Sequence, residues 1–400
     1  MSKVAIMGFG TIGSGVYEVI ETNSQILKKK AGKEISVKYI LDIRDFPGES
    51  YENKVVHDIN IVVNDPEVDI VVETMGGTGA AYTFVKSALL AGKSVCTSNK
   101  ALVAKYGPEL IKIAKENNCS FLFEASCGGG IPLIRPLITS YTADDIEEIS
   151  GILNGTTNFI LTKMLNEGLS YDVVLKEAQE LGYAERDPEA DVEGYDPCRK
   201  IAILASIVYG KNVDFEKIYT EGITKLTLED MTYVNKMDSA VRLLASIRKI
   251  DGKFYAMVAP FIVDRANPLY SVSDVFNAVF IKGNMLGDTM LYGSGAGKLP
   301  TASAVVSDIV SAAKSTADIN DIVWDDEELT LSSLDNDVKK FFVRVEASKL
   351  EKAKEVFNAE KVITLDELKG EAAVITASLS EKEFADKAEE LGIISRIRVK

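Results

Sequence analysis

The sequence predicts an α/β protein with a parallel sheet wound by helices on both faces, a second mixed α/β domain, and a small C-terminal α/β unit. Three observations support this prediction. A glycine-rich turn joins an apolar strand to an amphipathic helix at the N-terminus, short β-branched segments then alternate with helical spacing as far as residue 124, and residues 341–399 read βαββαβ. With 400 residues and 46% hydrophobic content, the chain can bury several cores.

The N-terminal segment has the form of a dinucleotide-binding turn. Residues 3–7 are a short apolar strand, GFGTIG follows at Gly8–Gly13, and residues 15–26 continue with helical spacing. Gly8 makes the tight turn, Gly10 lets the backbone approach a pyrophosphate, and Gly13 lets helix and strand pack closely. The helix N-terminus then faces the anion, so we predict dinucleotide binding here rather than a βαβ turn without a ligand.

Strands at residues 36–41, 70–73, 94–97 and 121–124 extend this pattern into a doubly wound parallel sheet of the Rossmann type. Two residues after the second strand bear on the choice of coenzyme. Asp42 could bond a ribose 2′-hydroxyl and favour NAD, whereas Arg44 could hold a 2′-phosphate and favour NADP, and the sequence leaves this open. Ligands bind where such strands end, and Thr74 and Lys100 lie at two of these ends. Lys100 is therefore a candidate for the substrate pocket, with a surface lysine as the alternative.

A second domain follows Asp145. An apolar strand at residues 146–153 leads through the polar turn Asn154–Asn158 into a helix. Later, the glycine-rich turn Gly293–Thr301 precedes a helix at residues 302–313, whose small apolar faces suit packing against the first sheet. A contact of this turn with cofactor or substrate is as consistent with the sequence as a simple hinge.

Residues 183–200 are the most informative stretch of the chain. Six carboxylates lie within twelve residues, at Glu185, Asp187, Glu189, Asp191, Glu193 and Asp196. Such a cluster repels itself unless it faces solvent, a cation or an amino-bearing ligand. Asp196-Pro197 then predicts a helix start, which places Asp196 and Lys200 four positions apart along one edge of that helix. The alternative is a solvated acidic loop before a capped helix.

Composition narrows the functional classes. The net charge of −15 argues against nonspecific binding to nucleic acid or to anionic membranes, so we expect small molecules and other protein chains as partners. The absence of an 18-residue apolar run and of a signal peptide predicts a cytoplasmic location. The four cysteines show neither metal nor disulfide spacing, and the sole histidine, His57, lies in a polar stretch. If the protein is an enzyme, lysines and carboxylates would move its protons, because histidine offers a single candidate.

Six segments in order resemble the homoserine dehydrogenases. They are Gly8–Gly13, Asn99–Val103, Glu124–Pro132, Leu153–Leu161, Leu181–Lys200 and Gly295–Ala304. The resemblance implies interconversion of L-homoserine and L-aspartate 4-semialdehyde in threonine and methionine biosynthesis, with NADP or NAD as the cofactor and NADP favoured. It also implies a Rossmann domain joined to a mixed α/β catalytic and dimerisation domain, and therefore a homodimer or a higher homo-oligomer.

The same resemblance implies roles for individual residues. Lys100 and Lys200 would be catalytic, and Glu185, Asp191, Asp196 and Lys200 would line the substrate site. Together with the glycine turn, it places the coenzyme contacts at Gly8, Phe9, Gly10, Thr11, Ile12, Gly13, Arg44, Thr74, Lys100 and Gly297. A monovalent-cation site of the sodium type is implied at Glu124, Cys127, Gly129 and Ile131, largely through backbone carbonyls. Cys127 stands where the family often has valine, which matters little if only its carbonyl coordinates.

The residues themselves agree with these roles. Homoserine carries an ammonium and a carboxylate, which Glu185 or Asp191 and a lysine would complement. Hydride transfer is the chemistry of the nicotinamide, so the protein must orient the substrate and manage one proton. Our hypothesis is that Lys200, positioned by Asp196, relays the hydroxyl proton while Lys100 stabilises the developing alkoxide, with exchanged roles as the alternative. Two other functions compete with this one: a nucleotide-binding redox sensor without turnover, and a dehydrogenase of another amino-acid-derived substrate.

The predicted domains are residues 1–135 completed by a returning helix at 299–322, then 136–298, then 338–400, with residues 324–337 as the last linker. The βαββαβ order of the C-terminal domain is ferredoxin-like. It resembles regulatory ACT domains in topology only, because the Asp-x-Pro-Gly-type loop of their amino-acid site is missing. We expect a packing or oligomerisation module, with control by threonine as the less favoured alternative.

Overall fold

The structure, a computed structural model, describes residues 1–314 and 322–400, which form two compact units. The first unit contains residues 1–145, 199–215 and 291–329, and the second contains residues 146–198, 216–290 and 330–400. The predicted helix at 299–322 is described as far as Lys314, and residues 315–321 lie outside the described residues. The three-domain division stays a prediction.

Elements are numbered along the chain. The strands are β1 Ser2–Met7, β2 Ile35–Leu41, β3 Val55–Val56, β4 Val68–Glu73, β5 Ser94–Thr97, β6 Phe121–Leu122, β7 Ile146–Ile152, β8 Lys211–Asn212, β9 Tyr219–Thr220, β10 Ser239–Ile250, β11 Lys253–Asp264, β12 Phe276–Gly283, β13 Gly287–Ser294, β14 Asp325–Glu328, β15 Val338–Glu346, β16 Lys361–Ile363, β17 Glu371–Ile375, β18 Leu379–Ser380 and β19 Ser395–Val399. The helices are α1 Thr11–Thr22, α2 Ser24–Ala31, α3 Ile59–Val63, α4 Gly79–Leu90, α5 Lys100–Glu116, α6 Ile134–Thr139, α7 Gly155–Glu167, α8 Tyr171–Glu180, α9 Glu189–Val192, α10 Tyr195–Tyr209, α11 Leu228–Lys236, α12 Lys298–Lys314, α13 Leu350–Val356 and α14 Glu381–Leu391.

The first unit is built on a six-stranded parallel sheet of order β3-β2-β1-β4-β5-β6. Its central strands are rich in valine and isoleucine because both of their faces are covered. The strand order reverses beside β1, and ligands of such sheets bind at that switch point. The predicted doubly wound sheet is therefore confirmed.

Helix α12 returns to the first sheet. Its side chains Ala302, Val305 and Ile309 are buried in one core with Val16 and Ile20 of α1. The two helices approach closely at Gly15, where an added Cβ would lie 3.1 Å from that of Ala302. The predicted packing of this helix against the first sheet is confirmed, and it brings the glycine turn before α12 close to α1.

The predicted linker at residues 324–337 is wrong for its first part. Trp324 is buried, and its ring carbons lie 2.9 Å from where a Cβ on Gly107 would be. Strand β14 pairs in parallel with β8, within the first unit. An acidic, serine-bearing composition suggested an open connection, but the apolar area of one tryptophan outweighs it.

The second unit is a mixed sheet in which the antiparallel strands β12, β7, β10 and β11 lie side by side. The predicted C-terminal βαββαβ topology is confirmed, with antiparallel order β19-β15-β17-β16. Strand β19 also pairs in parallel with β11, through Arg398 beside Phe261 and Val399 beside Ile262. The ferredoxin-like strands therefore continue the sheet of residues 146–290.

Candidate active site

The glycine turn between β1 and α1 has the geometry that a dinucleotide needs. Gly8 has φ +86°, and an added Cβ on Gly13 would lie 2.1 Å from the Gly8 carbonyl oxygen. At Gly10, by contrast, an added Cβ would meet no described atom within 4 Å. Gly8 and Gly13 are therefore required by the fold, whereas the open side of Gly10 leaves room for a ligand at the N-terminus of α1.

Thr74 and Phe9 support this turn. The Thr74 hydroxyl donates to the Gly8 carbonyl oxygen at 2.7 Å. The Phe9 ring is buried among aromatic rings, 4.9 Å from Tyr51 and 5.4 Å from Phe46 between centroids. Any contact of Phe9 with a coenzyme is therefore made by its backbone. The predicted contacts Thr11 and Ile12 form the first turn of α1.

Asp42 and Arg44 form an ion pair beside the turn. Arg44 Nε donates to Asp42 Oδ1 at 2.9 Å and Arg44 Nη2 donates to Oδ2 at 3.0 Å, while the Phe9 amide also donates to Oδ2 at 2.6 Å. The Arg44 guanidinium holds the pKa of Asp42 well below its usual range. The Arg44 side chain is 55% exposed and that of Asp42 is 7% exposed. The accessible charge here is therefore the guanidinium.

A buried carboxyl at the end of β4 organises the chain before Lys100. Glu73 is fully buried and accepts the Thr97 hydroxyl at 2.6 Å and the Met75 amide at 2.8 Å, and burial raises its pKa. The Asn99 amide nitrogen donates to the Gly77 carbonyl at 2.6 Å, and its oxygen caps α5 by accepting the Leu102 amide. Lys100 is the first residue of α5 and is half-buried.

Glu124, a predicted cation ligand, uses its side chain for the fold. Its carboxylate oxygens accept the backbone amides of Leu133, Ile134 and Arg135 at 2.5, 2.8 and 2.8 Å, at the start of α6. Its own amide donates to Asp308, which Arg135 also binds at 2.6 Å. Burial, and next the charge of Glu124, raise the pKa of Asp308 to about 7. The Glu124 carboxylate is thus already occupied by three backbone amides. A cation bound at Glu124 would therefore meet its backbone carbonyl oxygen.

The loop of Cys127, Gly129 and Ile131 packs against the glycine turn before α12. Gly129 has φ +56°, and an added Cβ there would lie 2.2 Å from the Gly295 carbonyl oxygen. The Gly130 amide donates to the Ser294 carbonyl at 3.0 Å. Gly297, with φ +117°, ends this turn just before α12.

Within residues 1–314 and 322–400, no three His, Cys, Asp or Glu side chains are grouped to hold a metal. Carbonyl oxygens are hard ligands that suit a cation such as sodium.

Lys200 lies in the first turns of α10 and is buried, with 8% of its surface exposed. The Cys127 thiol lies 3.8 Å from the Lys200 carbonyl oxygen, as a weak hydrogen-bond donor. Asp196 lies one helical turn earlier on the same helix and is 3% exposed. The predicted spacing of these two residues along one helix edge is therefore present.

The structure brings two of the predicted acidic residues together. The side-chain amide nitrogen of Asn154 donates to Asp191 Oδ1 at 2.7 Å and to Asp196 Oδ2 at 2.9 Å. Glu185 is exposed instead, in the connection between α8 and α9. The Thr156 hydroxyl donates to the Tyr183 carbonyl at 2.6 Å and ties that connection to α7. The acidic segment is thus partly a built polar cluster and partly a solvated loop.

Sequence reasoning named neither Asn154 nor Glu73 as a site residue. Asn154 precedes a helix and was available as a cap, because asparagine is a preferred N-cap residue. Its two carboxylate partners lie 37 and 42 positions away, so periodicity could not reveal them. Glu73 is the last residue of an apolar strand. An acidic residue at the end of a strand that is otherwise buried needs hydrogen-bond partners, and this is the one signal that could have marked Glu73 as a site residue.

Comparisons with known proteins relate the whole chain to one family. The family profile of the homoserine dehydrogenase NAD-binding domain matches residues 8–124, and that of homoserine dehydrogenase matches residues 132–310. The homoserine dehydrogenase of Bacillus subtilis (strain 168) is 38% identical, over 96% of this chain and 93% of its own length. The crystal structure of a homoserine dehydrogenase from Thiobacillus denitrificans is 34% identical with a TM-score of 0.89, covering 100% of this chain and 98% of that one. A hyperthermophilic archaeal homoserine dehydrogenase in complex with NADPH is 32% identical with a TM-score of 0.65, over 78% of this chain and 97% of its own.

Proposed function

The chain belongs to the homoserine dehydrogenase family, and we propose which of its residues bind the coenzyme, bind the substrate and transfer the proton. The protein is an NAD(P)-dependent oxidoreductase that interconverts L-homoserine and L-aspartate 4-semialdehyde, a reaction of threonine and methionine biosynthesis. The nicotinamide supplies or takes the hydride when it is bound. The residues of the chain bind and orient the two partners and move one proton.

The coenzyme is NADP in this proposal. The observation that supports it is the saturation of the Asp42 carboxylate, whose two oxygens are engaged by Arg44 and by the Phe9 amide. A ribose 2′-hydroxyl would have to displace one of these donors, whereas a 2′-phosphate would meet the exposed guanidinium. The pyrophosphate lies at Gly8–Gly13 in this proposal, and Thr74, Lys100 and Gly297 complete the coenzyme site.

The substrate ammonium is bound by the carboxylates of Asp191 and Asp196, with Glu185 of the exposed connection joining them when substrate is present. The pairing of Asp191 and Asp196 through Asn154 is the observation on which this assignment rests. Two adjacent carboxylates attract a cationic amine and favour its charged form. Lys200, one turn beyond Asp196, relays the hydroxyl proton, and Lys100 stabilises the alkoxide.

A monovalent cation of the sodium type is bound by the carbonyls of Glu124, Cys127, Gly129 and Ile131 in this proposal. Three features of the loop support it: the saturated Glu124 carboxylate, the left-handed Gly129, and the close packing against Gly295. The cation would fix the loop that lies against the carbonyl of Lys200. Replacing sodium by choline at constant ionic strength should lower turnover.

We further propose a cytoplasmic homodimer or higher homo-oligomer, with residues 338–400 as an ACT-like packing and assembly module. The described residues contain no helix long and apolar enough to cross a membrane. The pairing of β19 with β11 supports a structural role for the module. In this proposal the partners of the protein are small molecules and further copies of its own chain. Neither nucleic acid nor a membrane has a role.

The test is turnover by the purified protein, followed by the absorbance of the reduced nicotinamide. L-Homoserine should be oxidised with NADP, whereas L-aspartate and L-threonine should not. Coenzyme binding without turnover of any substrate would instead favour a redox sensor. Turnover of a different amino-acid-derived substrate would reassign the substrate and keep the coenzyme site.

A further inference from the structure

The side chain of Asn154 makes hydrogen bonds on both of its polar ends and is buried, with 6% of its surface exposed. Its amide nitrogen has two hydrogens, and its two acceptors are carboxylate oxygens of Asp191 and Asp196, at 2.7 and 2.9 Å. Its oxygen accepts the Thr157 amide at 2.9 Å and the Thr157 hydroxyl at 3.0 Å. These residues all belong to the second unit.

The contacts of Thr157 fix which way the amide points. If the Asn154 side chain were flipped, its oxygen would face two carboxylate oxygens and its nitrogen would face the Thr157 amide N–H. Both encounters are repulsive, so one orientation is strongly favoured. Thr157 therefore directs the two amide hydrogens toward the two carboxylates.

We propose that Asn154 is a positioning residue for the substrate ammonium, because it sets the separation and orientation of the Asp191 and Asp196 carboxylates. This inference rests on the proposed roles of those two carboxylates. A neutral amide suits the task, since it donates one hydrogen bond to each carboxylate without adding a positive charge of its own. A lysine or arginine at the same place would bind both carboxylates and compete with the ligand for their charge.

Asn154 also caps α7, so a loss of activity on its removal could reflect a damaged helix. Aspartate separates these two roles. It is as good an N-cap as asparagine and retains an oxygen for the Thr157 amide. It offers the two carboxylates an oxygen in place of the NH₂ group, and the added charge pushes them apart.

The experiment compares Asn154→Asp, Asn154→Ser, Asp191→Asn and the wild-type protein, by kcat and KM for L-homoserine, KM for NADP, and thermal unfolding. We expect Asn154→Asp to raise the homoserine KM by about tenfold or more, with a smaller change in kcat and the coenzyme KM within about twofold. Asn154→Ser retains a capping oxygen but is too short to bridge both carboxylates, so it should raise the homoserine KM as well. Asn154→Asp places a third negative charge beside two carboxylates, so it should lower the unfolding temperature in either case, and the two KM values decide. A merely structural role would change the KM for homoserine and the KM for NADP together.

Two results would overturn the proposal. If Asp191→Asn raises the homoserine KM while Asn154→Asp and Asn154→Ser leave it within about twofold of wild type, the positioning role is wrong and the substrate site stands. If Asp191→Asn also leaves that KM unchanged, the proposed ammonium site is wrong, and the positioning role is overturned with it.

Discussion

The guanidinium of Arg44 binds both carboxylate oxygens of Asp42, with Nε 2.9 Å from Oδ1 and Nη2 3.0 Å from Oδ2. Glycine-turn proteins usually offer either an acid to the ribose or an arginine to a 2′-phosphate. Here the two residues are bonded to each other, and the arginine is the exposed partner. The proposed preference for NADP rests on this pair.

Arg44→Ala should therefore change coenzyme choice. We expect the KM for NADP to rise about tenfold or more, because a charge-assisted contact with the 2′-phosphate is lost. The KM for NAD should stay equal or fall, because Asp42 becomes available to a ribose hydroxyl. The measurement is the ratio of kcat/KM for NADP to that for NAD. Lys86→Ala, which removes a positive charge paired with Glu109 in the same unit, is the control and should leave the ratio unchanged.

Gly10→Ala tests the pyrophosphate site without testing the fold. An added Cβ at Gly10 meets no described atom within 4 Å, and the same is true at Gly79, the first residue of α4. We expect both alanine variants to unfold within about 1 kcal/mol of wild type, since neither creates a clash. Only Gly10→Ala should weaken coenzyme binding, measured by quenching of protein fluorescence. Equal binding by both variants would place the pyrophosphate elsewhere.

Cys127→Val should be nearly silent if the cation is held by backbone carbonyls. The Cys127 side chain is fully buried, and valine is an apolar replacement that keeps the carbonyl in place. We expect turnover within about twofold of wild type and unchanged dependence on sodium concentration. Loss of the sodium dependence in this variant would show that the thiol, not the carbonyl, contributes to the cation site.

Lys339 should make stability depend on pH in the alkaline range. Burial lowers its pKa from 10.5 to about 8, although its ammonium binds Asp337. Below pH 8 the folded and unfolded states both hold the proton, and the cost of burying the charge is constant. Between about pH 8 and 10.5 the unfolded state holds more protons than the folded state, so the stability contributed by this site rises with pH.

Lys339→Met should abolish that rise. At neutral pH it should stabilise the fold by up to about 3 kcal/mol, because one pKa unit corresponds to about 1.4 kcal/mol and Asp337 keeps its contact with Arg248. The measurement is denaturant unfolding of both proteins from pH 7 to pH 10.5. Lys340→Met, which replaces a neighbouring lysine paired with Glu360, is the control variant. A wild-type curve parallel to that of Lys339→Met would contradict the shifted pKa.

The elements that could be predicted from the sequence are those determined by residues close together in the chain. Gly8 and Gly13 could be assigned because the turn of a βαβ unit has a steric requirement at each position, and the contacts of Gly13 bear this out. The ferredoxin-like order of β15 to β19 is predicted from the succession of strand and helix patterns along residues 341–399. In both cases the information lies within a few tens of residues.

Features that depend on distant partners could not be predicted. The bonds of Asn154 to Asp191 and Asp196, and those of Glu124 to the start of α6, join residues far apart in the chain or on different elements. The parallel pairing of β19 with β11 depends on how two sheets meet, which no local pattern encodes. The acidic neighbours of Trp324 predict a linker, whereas the apolar surface of its own side chain is what buries it.

The most direct test of the proposed mechanism is the rate of L-homoserine oxidation by Lys200→Ala beside the wild-type protein. Lys211→Ala, which removes an exposed lysine paired with Glu327 just after the same helix, serves as the matched control. We expect wild type and Lys211→Ala to turn over equally. Lys200→Ala should lose between about a hundredfold and ten-thousandfold in kcat while still binding NADP, since it lacks the group that relays the proton. A Lys200→Ala enzyme within about tenfold of wild type would remove Lys200 from the chemistry and contradict the proposed mechanism.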